Sequence, residues 1–215
     1  MTATSIGQGE FKPLDNLLSS KYYDAVIRNP NTKRAILDLA ESMLQDKGYN
    51  GFSYAHIANQ LKVKNAAVHY HFQTKEDLGC AVIQRYRDRF KLWINNARVK
   101  DLPPKEKLDW FFTIYTNMRA DDGKICLAGS LETEFNSIPD ALRSQTESMT
   151  RELLAWLQST LQEGREAGVF RFNGEAANKA ALILSSVQGA LQIARALGSK
   201  KFHAIIDQIK QDLLV

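Results

Sequence analysis

The chain has 215 residues, with 28 Lys and Arg against 24 Asp and Glu, for a formal net charge of +4. At roughly 100–200 residues per domain the length suits one domain, or a small one joined to a larger one, and 44% hydrophobic with 24% charged residues excludes a mostly disordered or collagen-like chain. Residues 1–91 carry the whole +4 excess while residues 92–215 are neutral, so attraction for a polyanion would originate in the first two-fifths.

Cys80 and Cys126 are too few and too far apart for a disulfide framework or a Cys-x-x-Cys zinc cluster, and a reducing cytoplasm is the expected compartment. The first ten residues lack the basic and apolar regions of a secretory signal. The uncharged stretch from Ala180 to Ala194 contains Ser185, Ser186, Gln188 and Gln192 and is shorter than the roughly 18 apolar residues that span a bilayer, so no membrane insertion is expected.

Apolar spacing is helical almost throughout. Ile36, Leu39, Ala40, Met43 and Leu44 define a first helix over Thr32–Lys47, closed by Gly48. Ser53 caps a short second helix, Tyr54–Leu61. A third runs over Asn65–Phe72, and Thr74 caps a long fourth that carries Leu78, Val82, Tyr86, Phe90 and Trp93 on one stripe. Pro103-Pro104 breaks it and opens a fifth with Leu108, Phe111, Phe112, Tyr115 and Met118 on one face. Further helices are expected over Leu127–Asn136, Pro139–Ala167, from Asn173-Gly174 to Leu197, and over Lys201–Leu214, with only residues 168–172 extended. Positions 1–30 read as an extension, in part a flexible tail followed by a short helix. The fold class is all-α, without repeats or sustained heptads.

The second and third helices, joined by a turn of three to four residues, have the form of a helix-turn-helix, whose second helix fits the major groove. On the third helix Lys64, Asn65, Ala67, His69, Tyr70 and His71 are expected to be exposed, and Ala66 and Val68 to pack. Asn suits adenine, Lys suits guanine or phosphate, and Tyr and His suit phosphate oxygens. Pattern alone equally admits a plain solvent-exposed helical hairpin. His69 and His71, two apart on a helix, do not face each other, and no Cys or carboxylate completes a ligand set with His56, so no metal is expected. No nucleophile elbow, phosphate loop, dinucleotide fingerprint or zinc-protease string is present, so neither an enzyme nor a cofactor is expected.

The run from Thr32 through Asp77 carries Ile36-Leu37-Asp38-Leu39-Ala40, Lys47-Gly48-Tyr49, Ile57-Ala58, Val63-Lys64 and Val68-His69-Tyr70-His71-Phe72-Gln73-Thr74-Lys75-Glu76-Asp77-Leu78. It closely resembles the DNA-binding domain of the tetracycline-repressor (TetR) family. The resemblance implies a homodimeric transcriptional regulator, usually a repressor, with a three-helix helix-turn-helix domain over 31–77. A helical bundle over 78–215 would dimerise and bind a small-molecule inducer. Ser53, Tyr54 and Ala55 would face double-stranded operator DNA from the second helix. Lys64, Asn65, Ala67 and His69 would face bases or the groove wall, and Tyr70, His71 and Lys75 would hold phosphates. Two positions depart from the family pattern: His69 stands where Tyr is common, and Ala55 where a polar or basic residue is frequent.

The resemblance also places Trp93, Trp110, Phe111, Tyr115, Met118 and Trp156 around an inducer pocket, with core packing as the plain alternative for each. Cys126 resembles a cysteine that begins the sixth helix in a subgroup containing electrophile and oxidant sensors. A helix N-terminus with Lys124 nearby would depress its pKa, whereas a thiol buried for packing is the opposite reading. Ala181, Ser185 and Gly189, with Ile205 and Ile209, are expected to pair across a two-fold axis; a core helix within one subunit is the alternative. Arg28, Lys33 and Arg34 stand near adjacent backbone or minor groove, or are solvated surface charge. A rival class is an interaction protein that uses the helix-turn-helix fold to bind another protein.

Overall fold

The computed structural model describes residues 32–120 and 123–214. The expectations for residues 1–30, Arg28 among them, lie outside the described residues, as does the side chain of Met118. α1 (Thr32–Lys47) buries Ile36, Ala40, Met43 and Leu44, the stripe expected from its spacing. α2 (Tyr54–Leu61) buries Tyr54, Ile57 and Ala58, and α3 (Asn65–His71) buries Val68. α4 (Lys75–Ile94) begins in a capping box: Thr74 Oγ1 accepts from Asp77 N at 3.0 Å while the Asp77 carboxylate accepts from Thr74 N at 3.0 Å. Such a cap contributes about 1 kcal/mol and fixes where the long helix starts.

α5 (Ala97–Lys100) is a single turn that the sequence pattern does not announce; Asn96 starts it by accepting from Arg98 N at 3.0 Å. α6 (Pro104–Ala120), α7 (Leu127–Thr133), α8 (Asp140–Glu166), α9 (Ala176–Leu197) and α10 (Ser199–Leu213) follow. α8 packs on α4, α6, α7 and α9, and α9 lies between α8 and α10. Residues 168–172 contribute one antiparallel bridge, Phe170 with Leu214, supported by Arg171 N donating to Leu213 O at 2.8 Å. Gly164 makes this possible, since a Cβ there would lie 2.0 Å from the Phe170 ring.

α9 is longer than its uncharged stretch: helix continues through Lys179 and Arg195 to 22 residues, with a mean hydropathy of 1.3 over an 18-residue window. By length and composition it can cross a membrane, which the uncharged stretch alone cannot. Its Ala180, Ile183, Leu184, Val187, Ala190, Leu191 and Ala194 are nevertheless buried in the bundle, while Leu182, Ile193 and Leu197 on its other side are exposed.

Ion pairs bind α4 to its neighbours. Arg85 meets Asp38 at 2.5 Å and Glu41 at 2.6 Å, and Arg89 also reaches Glu41, all on α1. On the opposite side Arg87 and Lys91 share Glu152 of α8 at 2.6 and 3.2 Å.

Candidate nucleic-acid interface and effector interior

α2 and α3 are joined through Lys62, the one non-glycine residue with positive φ (56°) among the described residues, whose N–H closes the end of α2. At the start of α2 the imidazole Nδ1 of His56 accepts from Ser53 N at 3.2 Å, taking the place that Glu or Gln usually fills. The Tyr54 hydroxyl, by contrast, points inward. It reaches Phe72 O at 2.9 Å and also Thr74 O, tying α2 to the junction of α3 and α4. Burial, assisted by the Asp77 carboxylate, pushes its pKa up to about 12.

Lys75 is also turned inward. Its Nζ donates to Phe52 O at 2.6 Å and sits 4.4 Å from the Tyr49 ring centroid and 4.6 Å from that of Phe52. Burial lowers its pKa, opposed by the attraction of Glu134. The outward face of α3 carries Lys64, Asn65, Ala66, His69 and Tyr70, the last 85% exposed. His69 stands edge-on to the Tyr54 ring at 4.6 Å with Nδ1 3.2 Å from Gln73 O, so its orientation is held.

In the larger bundle, Trp93 and Trp156 rings lie 4.9 Å apart, Phe111 and Trp156 5.6 Å, and Phe111 and Tyr115 4.9 Å. Several polar atoms in this half are buried without a hydrogen-bond partner among the described residues: Trp93 Nε1, Gln145 Oε1, Thr146 Oγ1 and Gln188 Nε2. Cys126, the N-cap of α7, is fully buried with Sγ 4.0 Å from the Tyr115 hydroxyl. Its thiol pKa is raised by burial, which outweighs the lowering effect of the Gly129 and Ala128 amides.

Comparison with known proteins places this geometry. Residues 36–82 match the bacterial regulatory proteins of the tetR family, and residues 104–206 match the tetracyclin repressor-like C-terminal domain. A TetR-family transcriptional regulator from Agrobacterium tumefaciens is 30% identical with a TM-score of 0.80, over 87% of this chain and 100% of that one. The chain belongs to the TetR family. A TetR regulator from Legionella pneumophila is 33% identical with a TM-score of 0.76 at the same coverage. The repressor DhaR of a Mycobacterium species is 22% identical over 74% of this chain and 80% of its own length. The protein is therefore a DNA-binding transcriptional regulator, and the protein-interaction alternative is not favoured. TetR-family regulators bind operator DNA and small molecules, dimerise, and are normally non-enzymatic.

Within the TetR frame, the structure sorts the expected site residues. Ser53, Ala55, Lys64, Asn65, His69 and Tyr70 are exposed along α2 and α3, and His71 is half-buried beside the Tyr70 ring. Tyr54 and Lys75 depart from expectation: the first is buried as a junction tie, and the second donates a hydrogen bond to the backbone carbonyl of Phe52. Ala66 and Ala67 exchange places, Ala66 being exposed and Ala67 half-buried, because two turns of helix are too short for apolar spacing to set the phase. Lys62 and Ala66 belong to the outward surface and were not singled out by sequence; the position of Lys62 in the turn was the available signal. Lys33 is exposed, its Nζ 5.7 Å from the Phe72 ring.

Among the expected pocket residues, Trp93, Phe111, Tyr115 and Trp156 come together, whereas half-buried Trp110 stands apart from their ring contacts and from the packed core. Of the two readings of Cys126 the burial agrees with the packing one: its thiol pKa is raised, since desolvation exceeds what the helix start supplies. Ala181 and Ser185 are exposed, and among the described residues no atom lies within 4 Å of a Cβ placed on Gly189. Ile205 and Ile209 are half-buried against the core of their own chain, where the apolar stripe of α10 closes on α9.

Proposed function

We propose that this regulator is a cytoplasmic homodimeric repressor that a small-molecule inducer releases from a palindromic operator. Residues 31–77 form the DNA-reading unit, and residues 78–215 dimerise and hold the inducer. The observation that carries the reading is the outward face of α3: Lys64, Asn65, His69 and Tyr70 present hydrogen-bonding groups to solvent on a helix sized for the major groove. Asn65 and Lys64 read base edges or the groove wall, with Ser53, Ala55 and Ala66 lining it, while Tyr70 and His71 meet phosphates. Lys75 acts indirectly, fixing the start of α4 against Phe52 and Tyr49.

The dimer uses the open side of α9, where Ala181, Ser185 and Gly189 allow close approach and Leu182 and Leu197 are 59% and 70% exposed. A two-fold axis supplies two recognition helices for two half-sites. The inducer is mainly apolar with hydrogen-bonding groups, suited to the aromatic set of Trp93, Phe111, Tyr115 and Trp156 and to the unpartnered Trp93 Nε1. Cys126 serves there as a packing residue. Release follows if the inducer binds one orientation of the DNA-reading units better than the other.

The test is fluorescence anisotropy with the promoter fragment upstream of the protein's own gene, titrated with salt. The logarithm of the affinity is expected to fall linearly with log[salt], with a slope of about −0.9 per phosphate contacted, and the affinity to exceed that for a scrambled fragment by about 10³-fold or more. No affinity at low salt overturns the reading.

A further inference from the structure

The C-terminal end of α1 is finished by residues from the other half of the chain. A helix leaves the carbonyl oxygens of its last turn without intrahelical partners. Here Gly48, at φ 77°, returns one N–H to Leu44 O at 3.1 Å, and the other donors are remote in sequence. Ser130 Oγ on α7 donates to Leu44 O at 2.6 Å, and Ile125 N to Gln45 O at 3.1 Å. Arg195, on α9, spreads one guanidinium over three carbonyls. Its Nη2 donates to Gln45 O at 3.1 Å and Asp46 O at 2.7 Å, and its Nε to Gly123 O at 3.0 Å.

Just past the helix end the polarity reverses. Glu134, which follows α7, accepts the backbone N–H of Tyr49 and, at 3.2 Å, that of Asn50. Asn50 Nδ2 adds a 3.0 Å bond to Ser137 Oγ. Gly48 fits the same arrangement, since a Cβ there would lie 2.7 Å from Glu134 Oε2. The signs are complementary: a guanidinium faces the negative end of the α1 dipole, and a carboxylate faces two adjacent N–H groups. Directional, charge-assisted bonds on both sides of one helix end fix its rotation as well as its position.

We propose that Arg195 and Glu134 are positioning residues that convey the state of the effector bundle to the DNA-reading helices. They grip the end of α1 from α9 and from the segment following α7, and so hold α1–α3 in the orientation that DNA requires. A shift of either gripping element moves the unit. The inference rests on the function proposed above.

Two substitutions separate grip from charge. Glu134→Gln removes a negative charge, which by electrostatics alone strengthens binding to a polyanion, and Arg195→Lys leaves the charge unchanged but cannot span three carbonyls. The positioning role requires both to weaken binding to the promoter fragment, by about tenfold, within the range typical of coupling between sites. The salt slope stays as in the wild type because no phosphate contact is lost, and amide hydrogen exchange at Tyr49 and Asn50 speeds up in Glu134→Gln. Glu134→Asp, which keeps the charge and shortens the reach, gives the same reading if Glu134→Gln does not fold. Folded variants that bind within twofold of wild type overturn the proposal, whereas a wild-type protein that ignores the fragment at low salt overturns the functional reading instead.

Discussion

The cations of the α2–α3 turn and those of α4 differ in what they face. Lys62 and Lys64 are exposed at the edge of the recognition helix. Arg85, Arg87 and Lys91 of α4 each lie within 3.2 Å of a carboxylate on α1 or α8. Charge counted along the N-terminal segment therefore overstates what DNA meets, because much of it is neutralised inside the molecule to hold the long helix. Attraction for phosphate rests on a few outward groups, and the α4 arginines serve rigidity.

Three measurements bear on that contrast. Arg85→Ala is expected to have the largest effect, a loss of about 2 kcal/mol in urea unfolding, because Asp38 loses the guanidinium it meets and Glu41 keeps only Arg89; fully buried pairs lose more. Its salt slope for DNA should match wild type, and a reduced slope would show that α4 cations do reach phosphate. Lys64→Ala should leave the melting temperature unchanged while weakening binding to the promoter fragment about fivefold to tenfold, and binding to a scrambled fragment much less. Unchanged affinity would remove Lys64 from the interface.

The smallest effect concerns Glu152, whose pKa is lowered chiefly by the hydrogen bond from Arg87. A carboxyl depressed in the folded state stabilises above its ordinary pKa and loses that contribution as pH falls through the folded value. Wild type should exceed Glu152→Gln in stability by roughly 0.5–1 kcal/mol at neutral pH, with the gap closing under acid in urea titrations. A gap that persists at low pH would assign the difference to packing.

Much of the architecture was legible because local rules coincide with the fold. Gly48 and Thr74 punctuate helices where expected and Pro104 opens α6, but α4 ends at Ile94 and not at Pro103-Pro104, because Asn95 and Asn96 close it and start α5; the apolar stripes of α1 and α4 face the core. The inward turn of Tyr54 was also within reach, since Tyr54, Ile57, Ala58 and Leu61 share one helical face. Lys75 was not, because the carbonyl and rings that hold it come from Phe52 and Tyr49, more than twenty residues away. For Cys126 the sequence left two readings open for a related reason. Its helix-start position is local and readable, while the burial that dominates its pKa is assembled from several helices.

From the sequence alone follow the helices, the helix-turn-helix and the family, since periodicity, caps and a contiguous motif are properties of neighbours along the chain. Only the tertiary structure decided which polar groups are still available to a partner. Arg195, an ordinary basic residue near the end of a helix, becomes a cap for α1, and Glu134 takes the amides of Tyr49 and Asn50. Those assignments depend on which atoms meet across long stretches of chain, where desolvation and direct contact outweigh anything set by adjacent residues.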